Sequence, residues 1–600
     1  MPDHANARAQ AEAWLGEFVS ALRSRDLRAA AALFGEECYW RDLVAFTWNI
    51  KTLEGAAEIS AMLTANLGAA APSNWRIDGE PTMVDGVVEA WLRFETKVAR
   101  GRGILRLKNG RAWTLLTTMD ELKGFEEPKG DKRPKGTTHG VYSRAKNWFE
   151  AKQAEEATLG REVQPYCVII GGGQGGIALG ARLKQLGVPA IIVEKNARAG
   201  DSWRNRYRSL VLHDPVWYDH LPYIPFPENW PVFTPKDKIG DWLEMYSKVM
   251  ELDYWGASEC VRASYDDRKK EWSVEMKREG AGAVTLRPKQ LVFATGAYGP
   301  PRETAIPGVE NFRGEIYHSS RYRTGEPYEG KRCVVVGSNS SAHDIAADLY
   351  EYGADVTMLQ RSSTCVVKSE TLMELGFGPL YSEAAVAAGI TTEKADMLFA
   401  STPFAIMHRG QIPLWNEIRR RDTAFYERLA KSGLKLDFGA DESGLSMKAW
   451  RSGSGYYIDV GASELIARGE IKVRGGVEIR RAKANSVELT DGSELPANLI
   501  VCATGFQSMN RLVAQLVSEA MADKVGKCWG LGSNTPGDPG PWEGEPRNMW
   551  KPTQQEGLWF HGGNLHLSRH YSQFLALQLK ARMEGLPTPV YGLQTVHHAS

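Results

Sequence analysis

The sequence has little of what marks a secreted, membrane or nucleic-acid-binding protein. It has seven cysteines in 600 residues, and none of them has the CxxC spacing of a redox or zinc motif. No apolar stretch approaches the roughly 20 residues that a membrane-spanning helix needs, and the N-terminus lacks an apolar segment of the signal-peptide kind. Positive charge is not in excess, since 73 Lys and Arg residues balance 73 Asp and Glu residues, so nothing favours a nucleic acid. We expect a cytoplasmic protein without a membrane span, a bound nucleic acid or a metal site.

Two patterns of secondary structure divide the chain, whose length alone predicts several domains. Residues 1–128 show helical spacing first and then alternating strands with an Asn109–Gly110 turn, which predicts an α+β unit. Residues 129–162 are charged and rich in glycine and proline before a short helical pattern, and they predict a linker with a connecting helix. From residue 163 onward strands and helices alternate, which predicts a parallel α/β architecture.

A strand, a glycine-rich turn, a helix and a second strand open the α/β region. The turn has the G-x-G-x-x-G spacing, formed by Gly171, Gly173 and Gly176. Such glycines permit a tight turn, close approach of a pyrophosphate and packing of the helix on the strand. The second strand ends at Glu194, whose carboxylate can accept hydrogen bonds from ribose hydroxyls. The unit therefore predicts a dinucleotide site, and the carboxylate suits the unphosphorylated ribose of FAD.

A second unit of the same kind keeps only the first glycine, Gly337, because Asn339 and Ala342 replace the other two. Its second strand ends at Arg361, where a guanidinium suits a ribose 2′-phosphate through charge-assisted hydrogen bonds. The unit is therefore predicted to bind NADP, with Asn339 and Ser341 in the turn. Asn339 tolerates unusual backbone angles, but its side chain would crowd the pyrophosphate. A solvated charge at the end of a strand is the other interpretation of Arg361.

Further stretches resemble the flavin-containing monooxygenase family, and within it the YUCCA-like branch. Residues 312–322 fit F-x-G-x-x-x-H-x-x-x-[YF], the identifying motif of that family, with His318 at its centre. Four more stretches resemble the family's segment along the flavin, its two linkers and its return segment: 200–204, 294–296, 503–505 and 559–564. The resemblance covers residues 165–585.

The resemblance implies which residues contact the two cofactors. Together with the two turns, it implies a cofactor-binding set of Gly171, Gly173, Gly176, Glu194, Trp203, Arg204, Thr295, Gly337, Asn339, Ser341, Arg361, Thr504, Gly505, Gly563 and Asn564. It implies two residues close to the chemistry, His318 and Asp214. His318 would couple the position of the cofactor to oxygen use, or is a structural histidine. Asp214 lies where relatives often carry an amide or a lysine, and it would alter the field around the reacting flavin.

The resemblance also implies the reaction. NADPH would reduce FAD, and dioxygen would add to the flavin as a C4a-(hydro)peroxide that gives one oxygen atom to a small organic substrate. The expected products are those of N- or S-oxygenation or of oxidative decarboxylation of a 2-oxo acid. Two alternatives stay open: an NADPH oxidase or diaphorase, and a flavin-binding sensor or scaffold whose N-terminal domain binds a ligand or partner. A disulfide reductase is disfavoured because no cysteine pair follows the first turn. A homodimer is an open alternative for assembly.

Residues 1–128 resemble the NTF2-like (SnoaL-like) cone, on the evidence of the stretch around Asp42 and of the hairpin. Asp42 is interpreted either as an acid–base residue or as a structural hydrogen-bonding aspartate. The predicted fold class is multidomain, an α+β cone followed by an α/β flavoprotein with two dinucleotide-binding domains, the FAD domain being Rossmann-like with an inserted NADP domain. Its predicted parts are the NTF2-like domain 1–128, the linker and helix 129–162, the first FAD-binding part 163–328, the NADP-binding domain with a helical insertion 329–498, and the FAD-binding return segment 499–600.

Overall fold

The computed structural model describes residues 4–136, 139, 146–296 and 298–598. Within these residues no helix is both long enough and apolar enough to cross a membrane. The seven cysteines all lie in this part of the chain, where they are buried and form no disulfide. The same residues contain no group of three or more His, Cys, Asp or Glu side chains arranged to hold a metal ion.

The N-terminal unit packs three helices against one sheet. Its elements are α1 His4–Ser24, α2 Leu27–Ala32, β1 Phe34–Leu43, β2 Ile50–Glu54, α3 Gly55–Ala70, β3 Ser73–Ile77, β4 Thr82–Val84, β5 Val87–Glu95, β6 Ala99–Lys108 and β7 Arg111–Leu122. The strand order is β2-β1-β7-β6-β5-β3, with β4 also paired to β5. Only β1 and β7 run parallel among these pairs. The hairpin predicted at Asn109 and Gly110 is confirmed, with φ angles of 51° and 73° that suit a type I′ turn.

Aromatic rings fill the space between the helices and the sheet of the N-terminal unit. Trp14 and Phe18 of α1 stack with ring centroids 4.7 Å apart, and Phe18 meets Trp40 of β1 at 5.9 Å. Trp75 and Phe94 stack across β3 and β5 at 4.5 Å. Rings of this size bury large apolar areas and add a stacking contribution, so Trp14, Trp40 and Trp75 belong to a packed core.

Asp42 is a structural residue of this core. Its carboxylate accepts hydrogen bonds from the backbone N–H groups of Phe46 and Thr47 at 2.9 and 2.8 Å, and from the hydroxyls of Thr47 and Thr117 at 2.7 Å each. Burial raises the pKa of this carboxyl group. Because Oδ2 is engaged by the β1–β2 connection and Oδ1 by Thr117 of β7, the hydrogen-bonding interpretation of Asp42 accounts for its position.

The α/β region begins after the connecting helix, α4 Trp148–Thr158. Its first elements are β8 Cys167–Ile170, α5 Gln174–Gln185, β9 Ala190–Val193, α6 Asp201–Arg204, α7 Lys236–Val249, β10 Tyr254–Trp255, β11 Ser258–Asp266, β12 Glu271–Arg278, β13 Gly282–Leu286 and β14 Gln290–Phe293. The capping box of Asn147 and Glu150 starts α4. Strands β11, β12 and β13 form a separate antiparallel sheet.

The middle part of the chain contains the second set of alternating strands and helices. Its elements are β15 Glu315–His318, β16 Arg332–Val336, α8 Ser340–Glu351, β17 Asp355–Gln360, β18 Cys365–Lys368, α9 Ser369–Leu372, α10 Glu383–Ala387, α11 Thr392–Ala400, α12 Phe404–Arg421, α13 Thr423–Lys431, α14 Gly444–Ser452, β19 Tyr456–Asp459, α15 Ala462–Ala467, β20 Lys472–Gly475, β21 Ile479–Ala482, β22 Ser486–Leu489, β23 Glu494–Pro496 and β24 Leu499–Cys502. Helices α9 to α14 lie between β18 and β19, which pair parallel, so the insertion is helical as predicted.

The last elements are α16 Asn510–Leu516, α17 Glu519–Val525, β25 Leu558–Phe560 and α18 Leu565–Met583. Strand β25 completes the first parallel sheet, whose order is β10-β9-β8-β14-β25. The second parallel sheet has the order β15-β24-β16-β17-β20. Two of its strands, β15 and β24, lie outside the range 329–498 that was predicted for the NADP-binding domain. They belong to this sheet because β24 pairs with both β15 and β16. The apolar strand β24 therefore serves the second sheet before the chain returns to the first.

The N-terminal unit is joined to the α/β region through a buried ion pair. Arg41 donates from Nε and Nη2 to the two carboxylate oxygens of Glu545, at 2.7 Å each, and the side chains are 2% and 0% exposed. Arg41 also donates to the carbonyl oxygen of Ala400 at 2.7 Å and to the Tyr571 hydroxyl at 3.1 Å. Thr52 donates its hydroxyl to Glu545 at 2.7 Å. One hydrophobic core runs from this unit into the first parallel sheet, so the unit is an integrated part of the molecule.

Candidate cofactor and active site

The three glycines of the first turn do different things. Gly171 has a φ of 109°, and a methyl group added there would lie 2.4 Å from the carbonyl oxygen of Ala294. A methyl group on Gly176 would lie 2.0 Å from the carbonyl oxygen of Gly171. Gly173 has an ordinary φ of −77°, and its methyl group would meet only the Ser202 hydroxyl, at 3.5 Å. The chain itself therefore requires two of the glycines, while the third leaves space at the N-terminus of α5, where N–H groups attract an anion.

Glu194 lies at the end of β9 and faces the same turn. Its Oε2 atom accepts a hydrogen bond from the Gly172 N–H at 2.8 Å, and its Oε1 atom accepts two from Asn196, at 2.8 and 2.7 Å. Tyr254 donates its hydroxyl to the carbonyl oxygen of Gly172 at 3.1 Å. These bonds fix the carboxylate at the edge of the turn, where the ribose of a dinucleotide lies in this kind of fold.

Gln174 is a site residue that the sequence reasoning missed. It accepts a hydrogen bond from Trp203 Nε1 at 3.2 Å and donates to the carbonyl oxygen of Gly563 at 3.0 Å. It thereby joins the first turn to α6 and to the return segment. The signal for it is its position directly after Gly173, as the first residue of α5. Trp203 and Gly563 are thus brought to the first turn, and their contact with a cofactor stays a prediction.

Arg204 is held by the chain itself. Its guanidinium donates to Asp201, Asp241 and Glu244, at 2.9, 2.8 and 2.9 Å, and to the carbonyl oxygen of Ala199 at 2.9 Å. Its Nε also donates to Asp241 at 3.1 Å. All five donors are therefore used in this structure, and Arg204 fixes α6 against α7.

Several buried polar atoms around the first turn have no hydrogen-bond partner among the described residues. They are Ser202 Oγ, Thr295 Oγ1, Ser568 Oγ and both ring nitrogens of His561. A methyl group on Gly175 would lie 3.5 Å from His561 and 3.6 Å from Ser568, which places these two at the first turn of α5. Buried polar groups in folded proteins are nearly always paired. A dinucleotide with its hydroxyls, carbonyls and phosphates supplies such partners, so the cradle fits FAD.

The return segment brings Asp214 and Asn564 together. Asn564 caps α18 by accepting from the Leu567 N–H at 3.0 Å, and its Nδ2 atom lies 3.4 Å from both Asp214 Oδ2 and the Tyr218 hydroxyl. Gly562 packs so closely that an added methyl group would lie 2.5 Å from the carbonyl oxygen of Gly296. The segment thus brings the linker 294–296, Asp214 and the positive N-terminal end of α18 together in one place.

The second turn repeats the geometry of the first. Gly337 has a φ of 127°, and a methyl group there would lie 2.4 Å from the carbonyl oxygen of Ala503. Asn339 precedes α8 with a φ of −97°, which any residue adopts, so the tolerance of asparagine for unusual angles is not what the turn uses. Ser341 lies half-buried in the first turn of α8, and Arg361 is exposed at the end of β17. Neither side chain makes a hydrogen bond or ion pair with the described residues, which leaves both available to a ligand.

His318 holds the second linker. Its Nδ1 atom accepts from the Ser320 N–H at 3.1 Å, so Nε2 carries the proton and donates to the carbonyl oxygen of Gly505 at 2.9 Å. Burial lowers the pKa of the ring, which favours this neutral form. Thr504 beside it donates to the carbonyl oxygen of Arg302 at 3.1 Å. His318 is therefore a positioning residue for the backbone that crosses between the two sheets.

The segments that follow the linkers 294–296 and 503–505 run side by side. They bring the residues predicted around the first turn close to those predicted around the second turn. Pro301 and Phe506 form a β-bridge, and the rings of Tyr298 and Phe506 stack with centroids 5.9 Å apart. Two parallel sheets, each with a dinucleotide turn and joined by a double crossing, define a two-cofactor flavoprotein of the oxidoreductase class.

Comparisons with known proteins agree with this class. A family model described as pyridine nucleotide-disulphide oxidoreductase matches residues 168–411. Indole-3-pyruvate monooxygenase YUCCA1 of Oryza sativa subsp. japonica is 30% identical over 346 residues, which cover 57% of this chain and 77% of the relative. Probable indole-3-pyruvate monooxygenase YUCCA3 of Arabidopsis thaliana is 29% identical over 351 residues, covering 57% and 73%.

Among solved structures, ε-caprolactone-bound cyclohexanone monooxygenase in its Loose conformation superposes with a TM-score of 0.50 at 18% identity, covering 70% of this chain and 88% of the other. This likeness supports the two-dinucleotide-binding fold. The chain belongs to the flavin monooxygenase family. It is a flavin-dependent oxidoreductase that uses FAD and NADPH.

Proposed function

We propose that the enzyme is an NADPH-dependent FAD monooxygenase that inserts one oxygen atom of O2 into a small organic substrate. The observation that carries this proposal is the meeting of Asp214, Asn564 and the linker 294–296 at one end of the first turn. The favoured reaction is oxidative decarboxylation of a 2-oxo acid, because the relatives that match this chain are named indole-3-pyruvate monooxygenase and probable indole-3-pyruvate monooxygenase. N- and S-oxygenation are the other reactions of this class.

The proposed roles follow the positions of the residues. When bound, FAD and NADPH supply the redox chemistry and the activation of oxygen. One pyrophosphate is held by the N-terminus of α5 with Gly171, Gly173 and Gly176. Glu194 binds the ribose of that dinucleotide. The structure around it is held by Thr295, Trp203 and Arg204. Gly337, Asn339, Ser341 and Arg361 hold the second dinucleotide, while His318, Thr504 and Gly505 set the crossing between the sheets. Gly563, Asn564 and Asp214 shape the reacting end and exclude water from it.

We propose further that residues 1–128 form an NTF2-like cone. The order of three helices and one sheet, with β1 parallel to β7 and the other pairs antiparallel, supports this assignment. The shared core and the buried Arg41–Glu545 pair favour a domain built into the enzyme over a detachable sensor or scaffold. Cytoplasmic localisation and a homodimer remain predictions.

The proposed reaction is tested with phenylpyruvate, NADPH and isotopically labelled dioxygen. The balanced reaction converts the 2-oxo acid, NADPH, a proton and O2 into phenylacetate, CO2, water and NADP+. We expect one NADPH consumed for each phenylacetate formed, one labelled oxygen atom in the new carboxylate, and little hydrogen peroxide. Thioanisole and N,N-dimethylaniline replace phenylpyruvate to test S- and N-oxygenation. Peroxide equal to the NADPH consumed, with every substrate unchanged, would assign the protein as an oxidase instead.

The Arg361→Ala variant is expected to weaken NADPH about 10- to 100-fold, because it removes charge-assisted hydrogen bonds to the 2′-phosphate. NADH, which lacks that phosphate, should be affected little. The measurement is the concentration dependence of flavin reduction for each nucleotide. Arg474→Ala is the matched control, since Arg474 lies opposite Leu359 on the neighbouring strand and pairs with Asp491 at 3.0 Å. Equal losses for NADPH and NADH in Arg361→Ala would remove the phosphate-binding role.

A further inference from the structure

A cavity lies at the junction of the N-terminal unit and the helical insertion. It has a volume of about 520 Å³. Lys108 and Trp113, on either side of the β6–β7 turn, form one wall, and residues of α11 and α12 form the other. The apolar part of the lining includes Leu398, Phe399 and Met407. The cavity therefore exists only because the two units are packed together.

The polar groups of this cavity are incompletely paired. Trp113 Nε1 and Gln411 Oε1 are buried and have no hydrogen-bond partner in the described residues, so one donor and one acceptor lack partners. The Lys108 ammonium lies 3.1 Å from the centroid of the Trp113 ring, close to the unpartnered indole N–H. Arg409 also lines the cavity, and its guanidinium pairs with Glu37 at 2.5 Å. The charge available to a ligand is thus the ammonium of Lys108, which lies beside the Glu37 carboxylate that Arg409 neutralises.

The cavity is one aromatic ring away from the return segment. The Phe399 ring packs edge-on against His566, with centroids 5.4 Å apart. His566 lies in the first turn of α18, two residues after Asn564, and its Nε2 atom lies 3.4 Å from Oδ1 of the buried Asp396. A molecule in the cavity would contact one side of the Phe399 ring. The same ring contacts His566, which lies beside the predicted active site.

We propose that this cavity binds an amphipathic carboxylate, that is, an apolar body bearing one carboxyl group. The body packs against Leu398, Phe399 and Met407, and the carboxylate accepts a charge-assisted hydrogen bond from the Lys108 ammonium. Such a molecule comes either from the substrate, on its way to the flavin, or from a separate effector. The substrate interpretation rests on the proposed function, whereas binding itself does not.

The test uses the oxidised holoenzyme without NADPH, so that its result is independent of oxygenation. Phenylacetate and octanoate are titrated by calorimetry, with 2-phenylethanol and octanol as uncharged counterparts. We expect each carboxylate to bind at least about tenfold more tightly than its alcohol, and Lys108→Gln to remove this difference. Failure of both carboxylates to bind the wild-type enzyme, or binding equal to that of the alcohols, overturns the proposal.

A cavity-filling variant locates the binding. A methyl group added to Gly410 in α12 meets nothing within 4 Å, so Gly410→Leu fills the cavity from a helix without a clash at Cβ. Gly16→Leu is the matched control, because Gly16 also lies in a helix with nothing within 4 Å and faces a different groove. We expect at least about tenfold weaker binding in Gly410→Leu and unchanged binding in Gly16→Leu. Equal affinities in both variants overturn the location.

Turnover then separates the two sources of the ligand. With NADPH and oxygen present, phenylpyruvate that is converted by the wild-type enzyme and much more slowly by Gly410→Leu identifies the cavity as the substrate's path. A carboxylate that is recovered unchanged but alters the rate of flavin reduction in the wild type, and not in Gly410→Leu, identifies an effector. Either outcome supports the site. A carboxylate that binds the wild-type enzyme but is neither converted nor able to alter flavin reduction overturns the link between the cavity and the flavin.

Discussion

Gly173→Val is expected to give a folded protein that purifies without the visible absorbance of flavin. The side chain would stand where a pyrophosphate approaches the N-terminus of α5, while the chain itself offers room, since only the Ser202 hydroxyl lies within 4 Å, at 3.5 Å. We expect FAD affinity to fall at least about 100-fold, or ~2.7 kcal/mol. FAD affinity is measured by titrating the apoprotein with FAD. The free energy of unfolding of the variant apoprotein is measured as well, and it should stay within about 1 kcal/mol of the wild-type value.

Gly176→Ala provides the contrast within the same turn. Its methyl group would lie 2.0 Å from the carbonyl oxygen of Gly171, so the apoprotein itself should lose stability, as backbone clashes in packed interiors do. The two variants separate a glycine needed by the ligand from one needed by the fold. A Gly173→Val protein that retains full flavin, or one whose apoprotein unfolds as readily as Gly176→Ala, would contradict the assignment of Gly173 to the pyrophosphate.

Arg41→Ala is expected to lower the free energy of unfolding by about 3–5 kcal/mol, because it leaves the buried carboxylate of Glu545 without its counter-ion. The side chains of both residues are at most 2% exposed, so water cannot replace the guanidinium. The loss should appear as a lower denaturant midpoint for the whole molecule, since Arg41 also donates to Ala400 of the insertion and to Tyr571 of α18. Chemical denaturation followed by tryptophan fluorescence and by release of flavin measures it.

Two further variants make this expectation sharper. Arg93→Ala removes an exposed pair with Asp78 on the same unit, whose side chains are 48% and 40% exposed, and should cost at most about 1 kcal/mol. Arg41→Met combined with Glu545→Leu removes both charges and should recover much of the loss. A loss in Arg41→Ala no greater than that in Arg93→Ala would show that the ion pair does not hold the units together.

The sequence predicted the parts of the site that depend on neighbouring residues. The spacing of Gly171, Gly173 and Gly176, followed by Glu194, encodes a strand–turn–helix–strand unit within some 30 residues, and the structure has that unit. The turn at Asn109 and Gly110 is local in the same way. The helical spacing at the start of residues 1–128 covers two helices, because Arg25 has a φ of 56° and Asp26 caps the second helix.

What the sequence could not predict depends on residues far apart in the chain. Asp214 and Asn564 are both predicted site residues, but they are 350 positions apart in the chain. No local sequence pattern predicts that Asp214 Oδ2 and Asn564 Nδ2 lie 3.4 Å apart. The assignment of β24 to the second sheet depends on its pairing with β15 and β16, and apolar strands carry no mark of which sheet they join. The three carboxylates around Arg204 likewise come from α6 and α7 together.

The Arg41–Glu545 pair also has a consequence for synthesis on the ribosome. The two residues are 504 positions apart, and at roughly 5–20 residues per second the carboxylate follows the guanidinium by about 25–100 s. During that interval the N-terminal unit presents an unpaired cation and the apolar face around it to solvent. Nascent chains are therefore exposed to aggregation and chaperone binding at this face until the C-terminal segment emerges, and flavin supplied early finds a sheet that still lacks β25.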